Sequence, residues 1–336
     1  MGGATLLAPL QGHDTVNLAR IGAARARAFA AAGALCALAA CMSAPVPTGT
    51  APQARPAGLA PPAPPRAAAP SNESLALTRY YARMESNMLA RGLMRSDGGG
   101  VDTPYTDTDL LRNFERIVFI DEHSEANFSR SSAPSPLRKW TRPVRFGVTF
   151  GPSVAPDARA RDSAAITAYA ARLARISGHP ISVGGAPNFH VMIVSEDERQ
   201  LVVDKLRRIN PNISDIYLRQ ILALPRQISC TVLAFPERQG SFAYVSAVAL
   251  IRAEHPDMSR TACLHEELAQ GLGLANDSPR ARPSIFNDDE EFGLLTTHDE
   301  ELLRILYDPR LRAGMSLDEA RPTLRIILAE RGSGPS

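Results

Sequence analysis

The stretch that most constrains this chain is Cys263-Leu264-His265-Glu266-Glu267-Leu268-Ala269-Gln270-Gly271-Leu272-Gly273-Leu274-Ala275-Asn276-Asp277. Leu264, Leu268 and Leu272 recur at i, i+4 and i+8, which places them in one stripe of an α-helix and demands an apolar surface to cover it. Cys263, Glu266 and Gln270 recur at i, i+3 and i+7, so the same helix carries polar chemistry on a second face. Gly273 permits a sharp exit that brings Asn276 back beside that face.

A helix reading His-Glu-x-x-His holds zinc between two ligands one turn apart and uses the glutamate to activate bound water. Read from His265 the pattern fails, because the second ligand position falls on Ala269, which has no donor atom. Shifted by one residue, Glu266-Glu267-x-x-Gln270-x-x-Gly273-x-x-Asn276 resembles the metzincin pattern His-Glu-x-x-His-x-x-Gly-x-x-His at every spacing. In that frame the general-base position (Glu267) and the turn glycine (Gly273) are kept, and all three histidines are replaced. Downstream, Pro283-Ser284-Ile285-Phe286 is similar to the methionine turn beneath a metzincin metal, with Phe286 in the methionine position. Leu295 to Tyr307 resembles the helix that closes matrixin-like domains; Thr296 or Thr297 can cap it, and Leu302, Leu303, Leu306 and Tyr307 supply its apolar face.

The whole chain also resembles domain-of-unknown-function family 2927, a family of bacterial lipoproteins. The resemblance rests on Glu-Glu-Leu-x-Gln-x-Leu-Gly-Leu from Glu266, on Ser284 to Asp288 and on Leu306 to Leu311. It implies an envelope address and no established activity.

The chain has 336 residues, 44% of them hydrophobic, with 27 Pro and a formal net charge of +2. That near-neutral balance gives no electrostatic case for nucleic acid and leaves ample chain for one core. Residues 1–40 read as an export signal, with Arg20, Arg25 and Arg27 ahead of an apolar run from Phe29 to Ala40 that is too short to span a bilayer. The segment before Arg20 is long for such a signal, which points to a start nearer Val16. Leu38-Ala39-Ala40-Cys41 resembles a lipobox, implying cleavage before Cys41, its lipidation, and an outer-membrane anchor facing the periplasm. Residues 41–70 are Pro- and Ala-rich and read as an extended spacer. Residues 71–138 hold two helix-like runs, a prefix to the main domain at 139–330, and 331–336 form a tail.

Within the main domain the patterns predict strands over Val144–Phe150, Phe189–Val194, Ser229–Phe235 and Phe242–Ile251. They predict helices over Pro156–Ile176, Asp197–Arg208 and Ser214–Ala223. Periodicity gives an α/β (α+β) layout. The resemblance implies a metzincin-like mixed sheet with a long backing helix, an active-site-type helix and a C-terminal helix. With Cys36 removed and Cys41 lipidated, Cys230 and Cys263 remain as an even pair in an oxidising compartment, which favours a disulfide over two buried thiols.

Three readings of the Glu266–Asn276 face compete. Glu and Gln suit a solvated helix surface. A metal site would use Glu266, Gln270 and Asn276 with Glu267 as base, making an active metallopeptidase, but amide oxygens suit hard cations better than zinc. The favoured reading keeps the cleft without a metal and without cutting, as a surface for a peptide, protein or glycan over a floor that includes Phe286. The acidic run Asp288-Asp289-Glu290-Glu291 reads as a solvated loop, with calcium as the alternative. Glu266 and Glu267 diverge by about 100° around the helix, which disfavours a shared acid–base centre. His265 faces away from Glu266 as a hydrogen-bonded histidine, His298 reads as a surface or capping residue, and His123, His190 and His255 share no spacing.

Overall fold

Two strands decide the architecture, because both faces of each are apolar and alternate residues go to different cores. In β4 (Phe189–Val194) Phe189, Val191 and Ile193 enter one core while Met192 and Val194 enter another. In β6 (Ala243–Arg252) Ala247, Ala249 and Ile251 divide from Val248 and Leu250 in the same way. A sheet buried on both faces needs helices on both. The computed structural model describes residues 69–120, 133–238, 240–287 and 289–332. The leader, Cys41, His123, Asp288 and most of the spacer and tail lie outside the described residues.

The remaining strands are β1 (Lys139–Trp140), β2 (Val144–Phe150), β3 (Ile181–Val183) and β5 (Cys230–Pro236). Their order is β1-β6-β4-β2-β3, with β5 also paired to β6. β2 runs parallel to β3 and β4, and β4 runs parallel to β6. β5 is antiparallel to β6, with Cys230 opposite Ile251 and Leu233 opposite Val248. The other edge of β5 has no strand partner among the described residues.

Helix α3 (Pro156–Ser177) crosses from β2 to β3 and lays Ile166, Tyr169, Leu173 and Ile176 into the larger core. Proline at its first position and Gly178 at φ 67 just past its end give it clean limits. Helices α4 (Gln200–Ile209) and α5 (Asp215–Leu222) cover the opposite face with Val202, Val203, Leu206, Leu218 and Ile221. The predicted helix at Asp197 is corrected. Residues Glu196–Glu198 form a 3₁₀ turn in which the Glu198 carboxylate accepts from the Ser195 amide at 2.9 Å, and α4 follows.

Helix α1 (Asn72–Ala90) and helix α2 (Asp107–Phe119) form the prefix. Leu110, Phe114, Ile117, Val118 and Phe119 of α2 share the larger core with the sheet. They pack there beside α7 (Thr297–Leu306) and α8 (Leu317–Gly332), whose Ala320, Leu324, Ile327 and Leu328 join that core. No helix among the described residues is long and apolar enough to cross a membrane.

Candidate functional site

The polar helix of the sequence is α6 (Asp257–Gln270), entered directly from β6. Leu264, Leu268 and Leu272 are buried, as their spacing requires. At its start the residue before the first turn is Pro256, which offers no capping side chain. The cap comes from α1 instead: the Glu85 carboxylate accepts from the Ser259 amide at 2.8 Å and from its hydroxyl at 2.7 Å. A carboxylate there satisfies an orphan N–H and complements the helix dipole. At the other end Gly271 is pressed so close to the sheet that a Cβ would meet Phe189 at 2.4 Å. Gly273 takes φ 125 with its α-carbon against the Arg138 carbonyl.

Cys263 is bonded to Cys230, tying the start of β5 to α6 across a separation of 33 residues. The Cys230 sulfur and one carboxylate oxygen each of Glu266 and Glu267 lie within 4.8 Å of one another, so the two carboxylates meet although their positions diverge around the helix. Glu267 is buried, at 3% exposure. Glu266 is half-buried and lines a crevice of about 50 Å³ with Asp277, Ile285, Asn287, Glu290 and Phe292. Such a space holds about one or two waters. Two further acidic residues in its lining give it an anionic character.

Gln270 and Asn276 are both buried, and the amide nitrogen of each has a protein partner. Gln270 Nε2 lies 3.3 Å from Asp277 Oδ1, and Asn276 Nδ2 donates to the Arg116 carbonyl of α2 at 3.0 Å. Phe286 is fully buried, so it supports the floor from below and offers no surface to a ligand. The Glu291 carboxylate accepts from Arg282 at 2.6 Å and from Arg95 at 3.3 Å, which pulls its pKa down and commits it to these guanidinium groups. One carboxylate with two amides is a poor donor set for zinc, whose sites use imidazole, thiolate and carboxylate. No reaction step is derived through a metal at those three positions.

His265 and His255 have structural partners. His265 Nδ1 accepts from the Leu295 amide at 3.1 Å and its ring stacks on Tyr169, whose hydroxyl donates to the His265 carbonyl at 2.8 Å. Burial pushes its pKa down to about 3. His190 and His255 are likewise lowered to about 4, chiefly by burial. His255 Nε2 lies 3.0 Å from the Ser229 carbonyl and 3.9 Å from Cys263 Sγ.

His298 is corrected from a surface residue to a fully buried one. Its Nε2 lies 3.1 Å from Asn113 Nδ2 on α2, and its Nδ1 lies 3.5 Å from Asp299 Oδ1. Asn113 Nδ2 offers Nε2 a donor, and the Asp299 carboxylate offers Nδ1 an acceptor. Asp299, also fully buried, accepts from Ser284 Oγ at 2.5 Å, the Ile285 amide at 3.0 Å, and the Thr296 amide and hydroxyl at 3.0 and 2.8 Å. It thereby ties the Phe286 turn to the start of α7. Thr296 is the residue that caps this helix. Sequence reasoning missed this network because Asn113 and Ser284 lie far from His298 along the chain, and the Thr296–Asp299 capping spacing was its one local signal.

The fold and site define a two-faced α/β domain in which an acid-bearing helix is disulfide-bonded to an antiparallel edge strand. The chain belongs to the family described as protein of unknown function (DUF2927), whose model matches residues 107–326. The match begins at α2, so that helix lies within the family's shared region. No curated protein and no solved structure matches the chain.

Proposed function

We propose that this protein is a lipid-anchored envelope module that binds an extended peptide without cutting it, on a degenerate metzincin-like frame. The frame is supported by the order strand, helix, strands, site helix, Phe286 turn and closing helix, and by the glycine exit at Gly273. The observation that carries the binding reading is β5. One of its edges pairs with β6, the other has no strand partner among the described residues, and it starts beside the Glu266 and Glu267 carboxylates. An antiparallel edge of this kind accepts an added strand through main-chain hydrogen bonds, with side-chain pockets giving specificity. The acidic crevice at Glu266 favours a basic group on that peptide. The alternative, hydrolysis with Glu267 as base, has no such support, because one carboxylate and two amides make a poor zinc donor set.

Fluorescence anisotropy with tagged basic and acidic peptides tests the reading on protein whose disulfide is intact. Saturable binding of basic peptides, weakened in Glu266→Lys and without any cleaved product, is expected. Peptide cleavage, or stoichiometric zinc that disappears in Glu266→Ala, would overturn it. The anchor is tested separately: palmitate incorporation should be lost in Cys41→Ser.

A further inference from the structure

A different set of donors gathers along the second half of α6. Cys263, Glu266 and Glu267 stand at i, i+3 and i+4, the spacing that places side chains on one helix face. Cys230 reaches the same point from β5: its sulfur is bonded to Cys263 and lies within 4.8 Å of both carboxylates. A tetrahedral zinc ion with ordinary Zn–S and Zn–O bonds sets neighbouring ligand atoms about 3.3–3.8 Å apart, so the Cys230 sulfur and the two carboxylate oxygens need to close by no more than about 1.5 Å. His255 lies outside the cluster, with its Nε2 3.9 Å from Cys263 Sγ and 3.0 Å from the Ser229 carbonyl. Thiolate, and not disulfide sulfur, is a metal ligand. While the bond is intact, two of the four donors are therefore withheld.

We infer that Cys230, Cys263, Glu266 and Glu267 form a redox-gated zinc site, closed by the disulfide and opened when a dithiol reduces it. The exchange is balanced: the dithiol donor becomes a disulfide, and its two electrons and two protons convert Cys230 and Cys263 to thiols. Zinc then takes both sulfurs as thiolates and releases those two protons. Glu266 and Glu267 join as carboxylates without further redox change. Two sulfur and two oxygen donors from one strand and one helix complete a closed, four-coordinate set. This set shares only Glu266 with the Glu266, Gln270 and Asn276 positions and does not depend on peptide binding.

The test uses the purified full chain in oxidised and phosphine-reduced forms, with zinc alone as the first probe and cobalt(II) as the second. After gel filtration without chelator, the reduced protein should retain one zinc per chain and the oxidised protein none. Cobalt should give thiolate charge-transfer absorption only in the reduced form. Replacing both carboxylates, Glu266→Gln with Glu267→Gln, should weaken zinc by at least about ten-fold, since even outer-shell partners are worth that much. Cys230→Ser with Cys263→Ser should abolish uptake while thermal melting reports that the fold persists. Absence of zinc from the reduced, folded chain would overturn the site. So would unchanged affinity in the double glutamine variant, or loss of the fold on reduction.

Discussion

The His265 ring lies flat on the Tyr169 ring, with centroids 3.9 Å apart and planes 7° from parallel. Its Nδ1 must stay unprotonated to accept from Leu295. Burial holds His265 at about 3 and His255 at about 4, below the ordinary value of 6.5. Between those values and 6.5 the unfolded chain binds more protons than the native one. The contribution is therefore complete above pH 6.5 and is lost as the pH falls, at up to about 1.4 kcal/mol per pH unit for each group. Asp162 and Glu196, raised chiefly by burial, oppose this trend only in the carboxylate range. Thermal melting should fall from pH 7 to pH 5, and less steeply in His265→Gln and His255→Gln. Equal slopes in wild type and variants would contradict the assignment.

Glu85 caps a helix to which it does not belong. Glu85→Ala should cost about 1–2 kcal/mol, the value of an N-cap with its dipole term. Urea denaturation measures this directly, and Glu85→Gln should recover part of the loss because an amide oxygen still accepts.

Gly273 sits at φ 125, and a Cβ there would meet the Arg138 carbonyl oxygen at 2.4 Å. The obstacle is backbone, which cannot rotate away as a side chain can. Gly273→Ala should destabilise by at least about 2 kcal/mol through strain and overlap. A melting temperature equal to that of the wild type would show that the exit turn relaxes without penalty.

Asp299 collects donors from Ser284, Ile285 and Thr296 at zero exposure. Asp299→Ala leaves buried N–H groups unsatisfied and should cost about 3–5 kcal/mol. Hydrogen exchange should quicken first at Ile285 and Thr296. Protection unchanged at both amides would remove Asp299 as the link between the Phe286 turn and α7.

The proposed metzincin-like frame can be tested by restoring the histidines of that pattern. Glu266→His, Gln270→His and Asn276→His together should create a stoichiometric zinc site while the disulfide is intact, because imidazole suits zinc far better than an amide. Elemental analysis of the folded triple variant decides the matter. A folded protein that takes up no zinc would mean that the three positions do not converge.

Local patterning carried a large part of this fold. The strand predicted over Val144–Phe150 is β2 and that over Phe189–Val194 is β4, because β-branched and aromatic runs bounded by turn residues are unambiguous. The disulfide favoured by cysteine parity is present between Cys230 and Cys263. The strands β1 and β3 carry too few residues to show a period, and α8 is interrupted by Pro322. Each exists because a neighbour holds it: β1 pairs with Ala243 and Tyr244, and β3 pairs with β2.

The sequence by itself determined the helix faces of α6, its glycine exit and the absence of histidine at the three ligand-like positions, since these follow from residue type and a fixed helical period. Only the tertiary structure decided what those faces meet. It brought Cys230 of β5 beside Glu266 and Glu267, supplied the α6 cap from Glu85, and buried His298 against Asn113. Those partners lie far away in sequence, and a contact between distant residues is set by how the layers pack, which no local period encodes.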